Sequence, residues 1–461
     1  MLDEGDIRRI LHAALVSGAD WGEVYAERRT TTLLSLSGHE VESVSSSLDA
    51  GVGVRVVKDG FAAYAYTNSL DRESLLATAR TAGAGVTGDV ARRPVALARS
   101  TPAFVHRAAR PSGEATNDDR VALVRRAADS AWAQGKDIHH VRVSYLDQSQ
   151  DVLVADSEGR LARDARERTR LICHVVARRD GRAARGFEGP GGATGLDFYD
   201  TTPPESIGRA AARQALHGLG AEPMPTGEMT VVLHPGEGGV LLHEACGHGL
   251  EGDVMADGTS VYAATPGAVL ADAEFTAVDD STVPAEWSAA GFDDEGTPGQ
   301  RTVLFDRGRQ TGVLTDRLTS GPLGATPTGN GRRQSYAHLP QPRMTSTSVL
   351  PGSADPAELV RQVRRGLYAV RLSGGEVDST TGDFVFGVTE GVLIENGELT
   401  QPVRNANLIG NGPRTLGLIE AVGSDFGTKQ GMCGKGGQWV PASFGSPTVR
   451  VARITVGGRR S

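Results

Sequence analysis

Apolar residues at Ile7, Ile10, Leu11, Ala14 and Leu15 recur at helical spacing through an opening segment from Asp3 to Ser17, and Gly18 marks its end. From Trp21 to about Thr67 the pattern changes. Val, Thr, Leu and Tyr dominate, with glycine breaks at Gly38, Gly51 and Gly60, which predicts an antiparallel meander. Helical spacing returns over Asp71 to about Ala82, over Asp119 to Gln134, and over Pro203 to Leu219 with proline near its start. Strands are predicted over Val141 to Val154 and Leu171 to Ala177. Between Gly83 and about Asp118, Pro, Ala, Arg and Gly mix without a period, which predicts a long connection.

The Pro-rich stretch from Ala221 to Pro225 punctuates the chain, and Met229 to Pro235 then reads as a buried strand. This places a domain boundary there: residues 1–220 form a domain of mixed helix and antiparallel sheet, and residues 221–461 form a Gly-rich, strand-rich domain. One further helix is predicted in the second half, over Pro356 to Tyr368. The expected class is α+β with largely antiparallel sheets. A chain of 461 residues also exceeds what one core organises, which favours two domains.

Composition narrows the function. Hydrophobic residues at 39% and charged residues at 23% are those of a globular chain, not a disordered one. A net charge of -8 with no basic stripe gives no footprint for nucleic acid. No apolar run is long enough to span a bilayer, and the N-terminal segment lacks a leader pattern, so a soluble, cytoplasmic protein is expected. Cys173, Cys246 and Cys433 are too few for a disulfide framework and are expected as thiols or metal ligands.

The chemistry concentrates between Leu233 and Asp253, LHPGEGGVLLHEACGHGLEGD. His243 and His248 offer neutral nitrogen to zinc, and Glu244 can take a proton from water at such a metal. Their spacing is i and i+5. On an ideal helix that separates the imidazoles by about 140°, against about 40° for the i and i+4 spacing of H-E-x-x-H. A π-turn, or a helix ending at Gly247 and Gly249, would bring them together. Taken alone, the motif suits a metal site or a structural histidine pair equally well. Cys433, flanked by Gly431, Gly434, Gly436 and Gly437, could add a third ligand, although a lone cysteine is commonly a small buried apolar residue. Cys246 and Cys173 are expected to pack in the core.

Several dispersed motifs carry a family resemblance. They are GADWGEVYAE from Gly18, GEGGVLLHEACGHGLEGD from Gly236, GFDDEGTPGQRT from Gly291, TGNGRRQSY from Thr328, PRMTSTSVLPG from Pro342, GGEVDSTTGDF from Gly374 and GMCGKGGQWVP from Gly431. In this order they resemble the TldD/PmbA family of zinc metallopeptidases, nearly end to end. Ser346 stands where that family more often has Asn. The resemblance implies that His243, His248 and Cys433 bind zinc and that Glu244 is the catalytic carboxylate. It also implies pairing of two related subunits, of which this chain is the one bearing the motif. The partner is then a relative lacking HExxxH, with a homodimer as the alternative.

The implied reaction is hydrolysis of amide bonds in short or unfolded peptides. Alternatives are an amide hydrolase (an N-deacylase or N-deacetylase) acting on a small biosynthetic intermediate, and a non-catalytic interaction protein. Because a thiolate ligand lessens the Lewis acidity of zinc, further oxyanion or substrate contacts are sought in Arg332, Arg333, Tyr336 and Arg343. Trp439 could line the cleft or pack in the core. Glu251, Asp253 and Asp294 could orient the histidines or simply cap loops.

Overall fold

The structure, a computed structural model, describes residues 2–88, 96–106, 108–404 and 406–458. The part of the predicted connection at residues 89–95 and 107 lies outside them. The first sheet is built from unusually long strands. Trp21–Ser37, Glu40–Lys58 and Phe61–Thr67 form the expected meander, and Ile138–Asp156, Arg160–Arg179 and Arg182–Glu188 continue it in antiparallel pairings.

Length has a purpose here, because the sheet serves two separate apolar cores. At one end Ile7, Ile10, Leu11 and Ala14 of the helix Glu4–Leu15 and Leu75 and Ala79 of Arg72–Ala84 pack on Val24, Val52 and Val54. At the other, Asn117–Trp132 and Pro204–Leu219 cover Leu34, Val143 and Leu171. Each helix boundary has a local cause. Asp71 caps the second helix through the Ser74 amide, and Thr116 with Asp119 forms a capping box for the third. On the opposite face of the sheet from both cores the strands carry buried polar side chains, Glu23, Glu27, Arg55, Gln150, Arg166 and Arg168. These face the rest of the molecule.

Residues beyond 220 make the other sheets. Arg365–Val377, Gly227–Leu233, Val449–Gly458, Ala406–Asn411 and Asp383–Glu395 are hydrogen-bonded in that order, and the last pairs back to the first, closing a five-strand ring around the largest apolar core. Within it the Gly227–Leu233 to Arg365–Val377 pairing is parallel, and the other four are antiparallel. A further sheet runs from Arg309–Gln310 through Arg301–Asp306, Ala277–Asp280 and Ser346–Val349 to the hairpin Gln438–Ser446 and Gly427–Lys435. The architecture is α+β and strand-rich.

One predicted element needs correction. The helix over Pro356 to Tyr368 stops at Arg361, and Arg365 begins a strand. Leu367 and Ala369 are fully buried while Tyr368 and Val370 are less so, a period of two that the short window disguised as helical.

Candidate metal centre

The segment bearing the histidines follows the strand Gly227–Leu233. Gly236, at φ 88°, turns the chain into the helix Glu237–Leu242. That helix lies against the strand Gln438–Ser446 so closely that a Cβ at Gly239 would stand 2.5 Å from the Gly445 amide nitrogen. At His243 the helix widens into a π-turn, His243–Gly247, in which the His248 amide donates to the His243 carbonyl, and it ends in a 3-10 turn, His248–Leu250. The i to i+5 bond stacks residues five apart, so the two imidazoles meet edge to face with centroids 4.9 Å apart.

Cys433 arrives from the facing hairpin. Its turn, Gly436–Gly437, has positive φ at both residues, as tight two-residue hairpins require. Sγ lies 3.1 Å from His243 Nε2 and 3.4 Å from His248 Nε2, and one ligand atom from each of the three residues falls within 4.8 Å of the others. At a tetrahedral zinc with bonds of about 2.1 Å to nitrogen and 2.3 Å to sulfur, N and S donors stand about 3.6 Å apart. The two nitrogen-to-sulfur separations are within about half an ångström of that value, and two imidazoles with a thiolate are a donor set that suits zinc.

The electrostatics favour a cation at the same point. Burial works against a Cys433 thiolate, yet His243 and His248 hold its pKa well below the usual thiol range. Glu251 is fully buried, and its carboxyl is nevertheless held well below the usual range by His248 and Lys435. It accepts from His248 Nδ1 at 3.0 Å and from Lys435 Nζ at 2.8 Å, and thereby fixes the imidazole with Nε2 toward Cys433. Asp253 receives the same lysine at 2.7 Å and touches neither histidine. Glu244 sits 3.8 Å from His248 Nε2. Burial raises its pKa, against the pull of both histidines.

These groups open on a cleft of about 590 Å³. Trp439, 58% exposed, lines it, as do Met432, Lys435 and the segment Gly374–Val377 at the end of a ring strand. The arginines and Tyr336 considered as oxyanion donors do not. Arg343 is fully buried and gives Nη2 to the Cys433 carbonyl at 2.6 Å, which makes it a strut for the cysteine hairpin. Arg333 donates to Glu23 at 2.5 Å, and Tyr336 to Asp49 at 3.1 Å, both across to the first sheet. Arg332 donates to the Met344 and Pro441 carbonyls and lines a different cavity. Asp294 pairs with Arg166 at 2.7 Å and stands away from the histidines. Long polar side chains in Gly-rich loops gave no sign of which face they would take.

Lys435 went unrecognised in the sequence. Its signal was available, two residues after Cys433 and hence on the same strand face. Cys246 and Cys173 are fully buried in apolar clusters, where burial pushes each thiol up to about 12.

Comparison with known proteins agrees along the chain. Sequence profiles of the PmbA/TldA metallopeptidase domain 1, central domain and C-terminal domain match residues 22–85, 110–219 and 226–458. A metalloprotease TldD homolog of Haemophilus influenzae is 36% identical over 448 residues, covering 95% of this chain and 93% of its own. A metalloprotease of Methanothermobacter thermautotrophicus is 32% identical over 432 residues, 93% of each. Among solved structures, TldE from Thermococcus kodakarensis superposes with a TM-score of 0.77 at 18% identity, over 98% of this chain and 99% of that one. A Thermotoga maritima structure gives 0.80 at 20% identity over 98% and 100%. These last two speak for the fold. With profiles and relatives matching from end to end, the chain belongs to the PmbA/TldD family of metallopeptidases.

Proposed function

We propose that the chain is the catalytic subunit of a zinc-dependent peptidase acting on short or unfolded peptides, paired with a related subunit that lacks the HExxxH motif. The observation that carries this reading is the convergence of His243 Nε2, His248 Nε2 and Cys433 Sγ beside the Glu244 carboxylate, at the wall of an open cleft. His243, His248 and Cys433 would hold the ion. Zinc bound there would polarise a scissile carbonyl and acidify a water molecule. Glu244 receives the proton of the attacking water and passes it to the departing amine, and its burial keeps the carboxyl basic enough for both transfers. Glu251 and Lys435 hold the His248 ring in place, and Arg343 holds the backbone of Cys433.

Peptidase assays against an unfolded-protein digest, read by mass spectrometry with and without zinc, test the reading. New cleavage products that require zinc support it. Intact peptides under zinc-replete conditions contradict it. Substitution Glu251→Gln is expected to weaken zinc affinity by about 10–100-fold, measured by competition with a chromogenic chelator. Unchanged affinity would show that the carboxylate does not orient His248.

A further inference from the structure

A second cavity, of about 290 Å³, lies where the middle of the first sheet meets the C-terminal half, and its walls include Arg168, Trp287, Arg332, Met432 and Trp439. The other arginines on its lining have carboxylate partners. Arg166 is paired with Asp164 and Asp294, Arg333 with Glu23, and Arg29 with Asp49. The two acids on the wall are also engaged. Asp294 is taken by Arg166 and the Arg333 amide, and Asp293 by the amides of Glu295, Thr297 and Gly331.

Arg168 and Arg332 stand apart. They are only 4% and 7% exposed, and among the described residues neither has a carboxylate in contact. Arg168 gives Nε to the Trp287 carbonyl at 3.0 Å and Nη2 to the Ala289 carbonyl at 3.5 Å, and its Nη1 has no hydrogen-bond partner among the described residues. Arg332 spends Nη1 and Nη2 on backbone carbonyls at 2.5 and 2.8 Å. Burial lowers Arg168 to about 9, with Arg166 and Arg332 acting in the same direction and Asp294 and Asp164 against it, and burial lowers Arg332 to about 10 against the pull of Asp294 and Asp279. Buried charges are ordinarily paired, so two guanidinium groups on one cavity with no carboxylate in direct contact describe a receptor awaiting an anion. Planar guanidinium groups suit carboxylates in particular.

The cavity also has a route to the chemistry. Met432 and Trp439, 44% and 58% exposed, line both it and the metal cleft. We propose that Arg168 and Arg332 form a carboxylate subsite that anchors a peptide substrate while its chain passes Met432 and Trp439 to the metal cleft. The inference rests on the peptidase reading and specifies its substrate class: peptides with a carboxylate a short distance from the cleaved bond, supplied by the chain terminus or by an Asp or Glu side chain.

The test uses three probes on the full-length Glu244→Gln protein stripped of zinc, so that the metal cannot receive the anion. They are N-acetyl-trialanine as the free acid, N-acetyl-Ala-Glu-Ala amide, and N-acetyl-trialanine amide, titrated against intrinsic fluorescence, to which Trp287 and Trp439 contribute. At least tenfold tighter binding of either acid over the neutral amide is expected. The free acid alone would identify a chain terminus, and the Glu peptide alone an acidic side chain. Equal binding of all three, or binding of none, overturns the subsite.

In Arg168→Gln and Arg332→Gln, checked for an unchanged thermal melt, the preference should disappear while the neutral amide binds as before. Persistence of the preference in both variants would also overturn the proposal. Because the readout is binding without zinc, a failure of hydrolysis leaves its outcome intact, and the two readings fail separately.

Discussion

Glu244→Gln is expected to lower turnover of a peptide that the wild-type protein cleaves by about 10²–10⁴-fold, with zinc content and melting temperature unchanged. The amide is isosteric with the carboxylate, and Glu244 lies beside the His243, His248 and Cys433 atoms that could hold a metal without being one of them. What is lost is the group proposed to accept and return a proton. Initial rates under saturating zinc measure this, and the loss should fall on kcat with little change in KM. A variant that retains more than about a tenth of the wild-type rate would assign the proton transfers to another group.

A second large effect is expected far from the cleft. Arg55→Met should destabilise the protein by about 3–5 kcal/mol. Arg55 has no exposed surface and donates to Glu23 at 2.9 Å and Glu295 at 2.5 Å, and Glu23 also receives Arg333 at 2.5 Å. Glu23 and Arg55 belong to the first sheet, whereas Glu295 and Arg333 belong to loops of the C-terminal half. Removing Arg55 leaves the Glu295 carboxylate buried with only the Arg317 amide donating to it, so the loss exceeds what a surface pair would cause. A fall of several degrees in the thermal midpoint, with loss of zinc only as the fold is lost, is the expected result. A midpoint within a degree of wild type would mean that the network contributes nothing to holding the halves together.

This network also explains which parts of the molecule could be read from the sequence. The helices at both ends of the first sheet declared themselves, because Ile7, Ile10, Leu11 and Ala14, or Leu123, Val124 and Ala127, mark one buried face each. The motif segment was legible for a related reason. The five-residue spacing of His243 and His248 demands a widened turn, and Gly247 and Gly249 let the chain make one. The middle of the long strands was harder. Glu23, Glu27, Arg55 and Arg166 look like a solvated face in the sequence and are buried because the other half of the chain, far along the sequence, supplies their partners.

The same limit applied to Arg332, Arg333 and Arg343. Their charge suggested substrate contacts near the histidines, whereas Arg333 ties the halves together, Arg343 braces the cysteine hairpin, and Arg332 turns to the second cavity. For Cys433 the flanking glycines hinted at close approach. Its meeting with His243 became visible only once the hairpin and the π-turn were set against each other.

Metal content of purified protein, measured by elemental mass spectrometry for the wild type beside Cys433→Ser and His248→Ala, tests the central claim most directly. About one zinc per chain in the wild type, falling sharply in both folded variants, is the predicted result. A wild-type protein without zinc after metal-replete purification, or the same zinc content in all three, would contradict it.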